Sequence, residues 1–384
     1  VDNGDTIQGN YNHLFLTDEF LKDNINPMVY AMNKIGYTSF SLGNHEFNYG
    51  MNTLNKIAEQ AKAGGTAVLC ANLYKDGARV FEPYTIETVG GVRVAIIGVV
   101  TNHITRWDAD KLEGYTPTNP AEEVQKVMTE IKDKADVFVV TSHMGLTSEY
   151  GDGDSATDIA NLNPEVDVII AGHSHSEIKQ DIVNGVLITQ PKNNGQGVSK
   201  AVIELEKTEA GVKVVNKSSS VIAIDKNNLV DEDATLTSEL KKYDDIARAD
   251  ALKVIGKLDG ENLSEADEVK GIPQSFVNDQ GVTDLINEVQ LYYSDQHLKS
   301  LGIDTSKIHH VSGAAMLSAT ANLESGDITK ADLANIYKFD NKLYTIKTTG
   351  KQLKKYLEWT ATLYNTFEKG DLTISFNKDF ASYK

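Results

Sequence analysis

Four apolar segments of the sequence each run directly into side chains that can bind a metal ion. These segments occupy residues 1–5, 40–45, 139–143 and 169–175, and each ends in Asp, Asn or His. In an open α/β sheet, ligands bind beyond the carboxyl ends of the strands. We therefore expect the four segment ends to meet at one rim of a sheet.

The residues that these ends deliver form a ligand set without cysteine. A single histidine after a strand is more often structural, but four separate ends of this kind are hard to explain by packing. Oxygen and nitrogen ligands suit Mn²⁺, Zn²⁺, Fe or Co better than Ca²⁺ or a thiolate-bound metal. Glycines just before the polar residues permit tight turns close to an ion. The candidates are Asp5, Asn44, His45, His143, His173 and His175, and the glycines are Gly4, Gly43 and Gly172.

Apolar runs alternate with helical patterns through the first part of the chain. Residues 92–100, 136–140 and 166–171 are typical of buried strands. Asn119 followed by Pro120 predicts a helix that begins there. Strands separated by helices predict a layered α/β fold.

The second part of the chain has a different pattern. Residues 231–258 are charged with an apolar stripe, which predicts an exposed helix that packs one face on a neighbour. Beyond it we predict helices near residues 282–294 and 352–364, and strands at 308–311 and 343–348. We therefore expect a catalytic domain at 1–228, a connector helix at 229–258 and a second α/β domain at 259–384. The first domain begins inside a strand and the second lacks a closing element, so we expect both to be truncated.

Composition excludes several classes of function. The 384 residues carry a formal net charge of −18, so non-specific binding to a nucleic acid polymer is excluded. No apolar run approaches the ~20 residues of a membrane span. The single cysteine, Cys70, cannot form an internal disulfide or a cysteine metal cage, and we expect it to be buried. The oligomeric state is not predictable from the sequence.

Four motifs together resemble the calcineurin-like two-metal phosphoesterases. In order along the chain they are Gly-Asp-x-x-x-Gly at 4–9, Gly-Asn-His-Glu at 43–46, Ser-His-x-Gly at 142–145 and Gly-His-Ser-His at 172–175. The resemblance implies a β-sandwich flanked by helices and two divalent ions, which suit the in-line displacement of a phosphoester.

The same resemblance implies individual roles for the candidate residues. Asp5 bridges the two metals, and His175 binds one of them. Asn44, His143 and His173 bind the other metal. His45 is not a ligand and assists the reacting phosphate or the leaving oxygen. The family also has an Asp-x-His motif upstream of Gly-Asp that supplies two more ligands, and we expect it to precede Val1.

The second domain narrows the resemblance to the 5′-nucleotidase superfamily. 5′-Nucleotidases usually carry an Asp where this chain has Asn48, and a Gly-Gly-Ile-Arg motif whose Arg holds phosphate. The corresponding residues 311–317 have no Arg. Both departures resemble the 2′,3′-cyclic-nucleotide 2′-phosphodiesterase/3′-nucleotidase branch. Asn48 can orient His45 by a hydrogen bond but cannot stabilise an imidazolium as a carboxylate would.

The superfamily also implies a substrate-binding aromatic in the second domain. Phe339 is the best match for the residue that stacks on the base, with Tyr337 as the alternative. A packing role remains open for Phe339. Trp107 and Trp359 are expected to be packing residues.

These observations together predict a nucleotide-hydrolysing enzyme that works outside the cytoplasm, in a periplasm, at a cell wall or secreted. The expected reactions are opening of 2′,3′-cyclic nucleotides to 3′-nucleotides and removal of the 3′-phosphate. Two alternatives remain open. One is a 5′-nucleotidase or nucleotide-sugar hydrolase, and the other is a surface nucleotide-binding module without turnover.

Overall fold

The computed structural model describes residues 1–9, 11–151, 153–209, 211–226, 231–270, 272–314, 318–337 and 342–360. The chain divides into two units, Val1–Asp245 and Ile246–Lys384. Among the helices in these ranges, none combines the length and the apolar character that crossing a bilayer requires.

Strands and helices alternate through the first unit, which confirms the predicted α/β class. The strands are β1 Ser39–Ser41, β2 Ala67–Leu69, β3 Leu73–Lys75, β4 Ala78–Arg79, β5 Tyr84–Val89, β6 Val92–Val100, β7 Tyr115–Pro117, β8 Val137–His143, β9 Val168–Ala171, β10 Ile178–Val183, β11 Val186–Gln190, β12 Gly197–Thr208, β13 Gly211–Ala223, β14 Val254–Leu258 and β15 Gly326–Thr329. The α-helices are α1 Asp18–Asp23, α2 Pro27–Ile35, α3 Gly50–Ala63, α4 Thr105–Asp108, α5 Pro120–Ile131, α6 Ala156–Leu162, α7 Ala234–Ala251, α8 Gly281–Ser300, α9 Lys330–Ile336 and α10 Gly350–Thr360.

The main sheet of the first unit has six strands in the order β10-β11-β9-β8-β6-β5. The four inner strands are parallel, and the edge strands β10 and β5 run antiparallel to their neighbours. Parallel strands present their carboxyl ends at one edge of the sheet. At this edge β8 ends in His143, and β9 is followed by His173.

A small parallel sheet of β1 and β2 packs closely on the main sheet. A Cβ atom on Gly98 of β6 would lie 2.5 Å from Leu69 Cβ and 2.7 Å from Ser41 Oγ, so no larger residue fits there. Ser41 also shares a hydrogen bond with the Thr141 hydroxyl of β8. The two layers form the expected sandwich and bring the end of β1 close to the end of β8.

Helix α5 shows how local sequence sets these elements. Its N-cap Asn119 accepts hydrogen bonds from the backbone N–H groups of residues 121 and 122, and Pro120 occupies the first helical position. The apolar positions Val124, Val127 and Ile131 pack in one core cluster with the main sheet. This helix begins where the sequence predicts. Cys70 is fully buried, as expected.

Helix α7 is shorter than the predicted connector. It ends at Ala251, and Val254–Leu258 forms the strand β14, which pairs antiparallel with β15. One face of α7 packs as predicted, because Tyr243 is buried against the ring of Phe15 at a centroid distance of 5.6 Å. The domain boundaries themselves remain a prediction.

In the second unit both predicted helices are present, but both predicted strands are wrong. Helix α8 covers the first prediction, and α10 covers 352–360 of the second, whose last residues lie outside the described ranges. Residues 308–311 and 343–348 have no regular secondary structure. Tyr344 and Ile346 are exposed by more than three quarters, so these apolar residues lack the packed neighbours that a buried strand needs.

Candidate metal centre

Four short segments deliver the predicted ligands to one place in the first unit. Residues 3–5 follow Asp2, which pairs with Phe40 of β1. A single 3₁₀ turn, Asn44–Phe47, follows β1 and carries Asn44 and His45. Strand β8 ends in His143, and the loop after β9 carries His173.

The side chains of Asp5, His143 and His173 converge as a metal site requires. Their ligand atoms all lie within 4.8 Å of one another. Asp5 Oδ2 is 3.0 Å from His143 Nε2, and Asn44 Oδ1 is 2.9 Å from His173 Nδ1. Four of the five predicted ligands therefore lie together.

His175 is the predicted ligand that does not join this group. Its side chain is exposed, and its backbone adopts a left-handed conformation with φ at 56°. Its role at the other metal of the predicted pair remains a prediction.

The three glycines of the ligand motifs are needed for this close approach. A Cβ on Gly4 would lie 2.3 Å from Gly43 N, and a Cβ on Gly43 would lie 2.4 Å from Asp5 Oδ1. A Cβ on Gly172 would lie 2.8 Å from the Asn3 side-chain amide. The three glycines therefore let the ligand segments approach one another closely, and their role beside an ion stays a prediction.

His143 directs its Nε2 nitrogen toward Asp5, while its Nδ1 nitrogen is held by the backbone. Its Nδ1 donates to the Asn3 backbone carbonyl at 2.6 Å, so Nε2 is the ring nitrogen that would bind a metal ion after it loses its proton. Nε2 is buried and makes no hydrogen bond of good geometry, although Asp5 lies nearby. A buried polar atom without a hydrogen-bond partner is costly unless an ion binds to it. The donor set therefore fits a divalent cation.

Charge around the site favours the ligand forms of Asp5 and His173 and the protonated form of His143. Burial alone would raise the pKa of Asp5, but His143 and the His45 backbone N–H lower it, so Asp5 is ionised. Burial alone would lower the pKa of His143, but Asp5 raises it to about 9. Burial and His143 lower the pKa of His173 to about 4, so His173 is a neutral imidazole at pH 7. A cation at this place would replace the proton of His143.

Glu46 holds the ligand loops together, a role that the sequence analysis missed. It is completely buried, and its carboxylate accepts hydrogen bonds from the backbone N–H groups of Asp5, Thr6, Ile7 and Gly43 at 2.7–3.2 Å. It ties the first loop to the second, where His45 N–H also donates to Asp5 Oδ1 at 2.9 Å. The sequence signal for this role is that Glu46 is the last residue of the Gly-Asn-His-Glu motif.

The predicted pair of His45 and Asn48 is present. His45 Nδ1 lies 2.7 Å from Asn48 Oδ1. The Asn48 amide in turn donates to Asp108 Oδ2 at 2.7 Å. Nothing in the sequence pattern links Asp108 to this pair, because it lies 60 residues further along the chain.

Trp107 borders the site, so its predicted packing role is wrong. Its side chain is 43% exposed, and its ring centroid lies 5.7 Å from that of His173. Tyr150 packs edge-on against Trp107 at 5.6 Å, and the Arg106 guanidinium lies over the Tyr150 ring. Trp359 is 71% exposed and is not a packing residue either.

The two candidates for base stacking belong to the second unit. Phe339 lies outside the described residues. Tyr337 follows α9 and is 39% exposed. Its role remains a prediction.

Comparison with known proteins matches both units to family models. The calcineurin-like phosphoesterase model matches residues 1–177, and the model of the 5′-nucleotidase C-terminal domain matches residues 254–380. The first match contains every predicted metal ligand.

Individual relatives are similar over most of this chain. The trifunctional nucleotide phosphoesterase protein YfkN of Bacillus subtilis is 25% identical over 426 residues, which cover 100% of this chain and 28% of YfkN. A 2′,3′-cyclic-nucleotide 2′-phosphodiesterase/3′-nucleotidase of Salmonella typhimurium is 28% identical, with 96% of this chain and 62% of the relative covered. A 5′-nucleotidase of Vibrio cholerae is 28% identical, with 88% of this chain and 64% of the relative covered. The chain spans less than two thirds of each relative.

A solved structure supports the fold of the first unit. The crystal structure of the calcineurin-like phosphoesterase YfkN matches with a TM-score of 0.59 and 26% identity, covering 64% of this chain and 82% of that one. The chain therefore carries a calcineurin-like phosphoesterase domain followed by a 5′-nucleotidase C-terminal domain.

Proposed function

We propose that this protein hydrolyses 2′,3′-cyclic nucleotides to 3′-nucleotides and then 3′-nucleotides to nucleoside and phosphate. The observation that carries a hydrolytic role is the convergence of Asp5, His143 and His173 at the sheet edge, with Asn44 bonded to His173. His45 is bonded to Asp5 through its backbone, so a potential proton donor lies beside the ligands.

The proposed site holds two divalent ions, with Mn²⁺, Zn²⁺, Fe or Co as candidates. Asp5 would bridge them, Asn44, His143 and His173 would bind one, and His175 would bind the other. Bound divalent ions supply charge neutralisation for phosphoryl transfer and lower the pKa of water. The chain contributes the orientation of its ligands and the imidazole of His45.

In the first reaction, a water oxygen bonds to phosphorus and the bond from phosphorus to the 2′-oxygen breaks. His45 would give its proton to that leaving oxygen, which becomes the 2′-hydroxyl group, while the proton that the water loses would pass to solvent, from which His45 regains its own. In the second reaction, the bond from phosphorus to the 3′-oxygen breaks in the same way. A positioned general acid contributes about 10²–10⁴ in rate.

The choice of substrate is supported by two features. The Salmonella relative that acts on 2′,3′-cyclic nucleotides covers 96% of this chain. Residues 311–317, which correspond to the phosphate-binding motif of 5′-nucleotidases, contain no Arg. The family resemblance also leads us to propose a site of action outside the cytoplasm.

A metal and product analysis tests this proposal. The purified chain is loaded with Mn²⁺, given 2′,3′-cyclic AMP and sampled over time by chromatography. We expect 3′-AMP to appear first and adenosine with phosphate afterwards, and we expect the Asp5→Asn variant to lose both bound metal and both activities. A metal-loaded chain that leaves the cyclic substrate intact would contradict the proposal.

A 5′-nucleotidase is the second candidate. The model that matches residues 254–380 is that of the 5′-nucleotidase C-terminal domain, and the Vibrio relative is as similar as the Salmonella one. A binding module without turnover is the third. The product analysis excludes this module if the cyclic substrate is consumed.

A further inference from the structure

A line of hydrogen bonds runs from His45 to a charged pair behind the site. His45 Nδ1 contacts Asn48 Oδ1, the Asn48 amide nitrogen donates to Asp108 Oδ2, and Lys111 Nζ donates to Asp108 Oδ1. Each of these three distances is 2.7 Å. The Asp108 residue is only 2% exposed, so solvent does not compete for its carboxylate.

The chemistry of these groups fixes the direction of every bond. An ionised carboxylate only accepts hydrogen bonds, so Asp108 requires the NH₂ group of the Asn48 amide. The Asn48 oxygen must then face His45. An amide oxygen also only accepts, so the proton of this contact belongs to His45 Nδ1.

Without Asp108 this direction would be undetermined. The two ends of an Asn side chain have nearly the same shape, and a half-turn of the amide exchanges them. A turned amide would present NH₂ to Nδ1, which opposes a proton there. With the amide held as observed, Nδ1 keeps its proton and Nε2 is the nitrogen that faces the exchange with substrate.

Both carboxylate oxygens of Asp108 have a partner. Asp108 ends the short helix α4, and one carboxylate oxygen is held by Lys111 while the other orients Asn48. The contact joins residues 60 positions apart, so it is a tertiary interaction and not a local cap of the His45 turn.

We infer that Asp108 is a positioning residue that acts through the Asn48 amide to hold the His45 ring with a proton on Nδ1. The proton exchanged with the substrate is thereby carried on Nε2. The inference rests on the proposed function, since it assigns a role in the same reaction.

The first test compares three variants in steady-state hydrolysis of 2′,3′-cyclic AMP. Asp108→Leu removes the acceptor, and we expect kcat to fall at least about tenfold with KM within about twofold. Lys111→Met removes the ion pair but keeps the Asp108 carboxylate as acceptor for Asn48, and we expect it to retain most of the activity. Asp136→Leu is the matched control, because Asp136 pairs with Arg93 at 2.7 Å just before β8, at the opposite end of that strand from His143. We expect its kcat to equal that of the natural chain.

The second test does not depend on turnover. The ring nitrogens of ¹⁵N-labelled histidine are observed by NMR in the Zn²⁺-loaded full chain, with His45→Gln used to assign the His45 signals. We expect Nδ1 to carry the proton in the natural chain and in Lys111→Met, and to lose part of it in Asp108→Leu.

These results separate the inference from the proposed function. If the natural chain is inactive on nucleotides but the His45 signals change as expected, the proposed function fails and the positioning role stands. Unchanged His45 signals in Asp108→Leu would overturn the inference, whatever the activity. Equal losses of kcat in Asp108→Leu and Lys111→Met would also overturn it, because a merely structural ion pair between Asp108 and Lys111 predicts that result.

Discussion

At the scale of single residues, three of the predicted ligands adopt a backbone conformation that side chains disfavour. Asp5, His173 and His175 have φ values of 60°, 61° and 56°. Such a conformation costs on the order of 1–3 kcal/mol per residue and persists only where the surroundings impose it. At Asp5, one contact that imposes this conformation is the hydrogen bond from its backbone N–H to the Glu46 carboxylate, at 2.7 Å. The ligand loops are thus held in place by hydrogen bonds between backbone and side chains.

Replacing Glu46 by Gln tests this account of the loops. Gln keeps the shape but offers one acceptor oxygen, so some of the four N–H groups lose their partner at a cost of about 1–3 kcal/mol each. We expect a lower midpoint of thermal unfolding and less bound Mn²⁺ per chain, measured by elemental analysis. The matched control is Glu123→Gln, a buried carboxylate paired with Arg79, which should lower the unfolding midpoint alone. Full metal content in Glu46→Gln would show that the loops do not depend on this carboxylate.

Replacing His45 by Ala separates catalysis from metal binding. We expect kcat to fall by at least about 10², the usual scale for a general acid, while metal content stays unchanged. The exposed His297 supplies the control variant, His297→Ala, which should keep full activity. Loss of bound metal in His45→Ala would mean that His45 is a ligand and that its assigned role is wrong.

At the scale of elements, the positions of the strand ends were predictable from the sequence. The contacts that helix α4 makes with the site were not. Strands β6, β8 and β9 each contain an apolar run of at least four residues, and Asn119 with Pro120 marks the start of α5. Parallel strands then place their ends together by geometry alone. Asp108 and Trp107 reach the site on α4, and no periodicity in the sequence indicates which face of that short helix meets His45 or His173.

The strand predictions failed where a short apolar run had no partner. Residues 308–311 and 343–348 have strand-like composition, yet strand formation depends on packing against neighbours more than on intrinsic preference. The reverse error occurred at Val254–Leu258, where pairing with β15 ends the predicted helix early. Long-range pairing decides each of these cases, and a single sequence does not display it.

The loop before α6 provides a prediction about pH. Asp154 is 3% exposed, its Oδ1 has no hydrogen-bond partner, and burial together with Glu149 and Asp158 raises its pKa to about 6. A carboxyl group with a raised pKa binds its proton more tightly in the folded state. Its ionisation therefore destabilises the fold as pH rises from about 4 to 6, and the loss persists at higher pH.

We therefore expect Asp154→Asn to raise the unfolding midpoint at pH 8 more than at pH 4.5, as measured by thermal unfolding in matched buffers. The exposed Asp259→Asn is the control and should change little at either pH. A larger gain at pH 4.5 than at pH 8 would contradict the sign of this linkage.

At the scale of the whole molecule, charge is consistent with a dependence on metal. A chain of net charge −18 on balance repels anionic phosphoesters. Divalent ions among Asp5, His143 and His173 would reverse the sign of the field locally. Such a molecule gains little from non-specific attraction to phosphates, and its selectivity has to come from contacts at the site.

The proposed preference for cyclic substrates can be tested by a competition assay. The purified chain receives Mn²⁺ with equal amounts of 2′,3′-cyclic AMP and 5′-AMP, and both are followed by chromatography. We expect the cyclic substrate to be consumed while 5′-AMP is spared. Preferential loss of 5′-AMP would contradict the account and identify a 5′-nucleotidase.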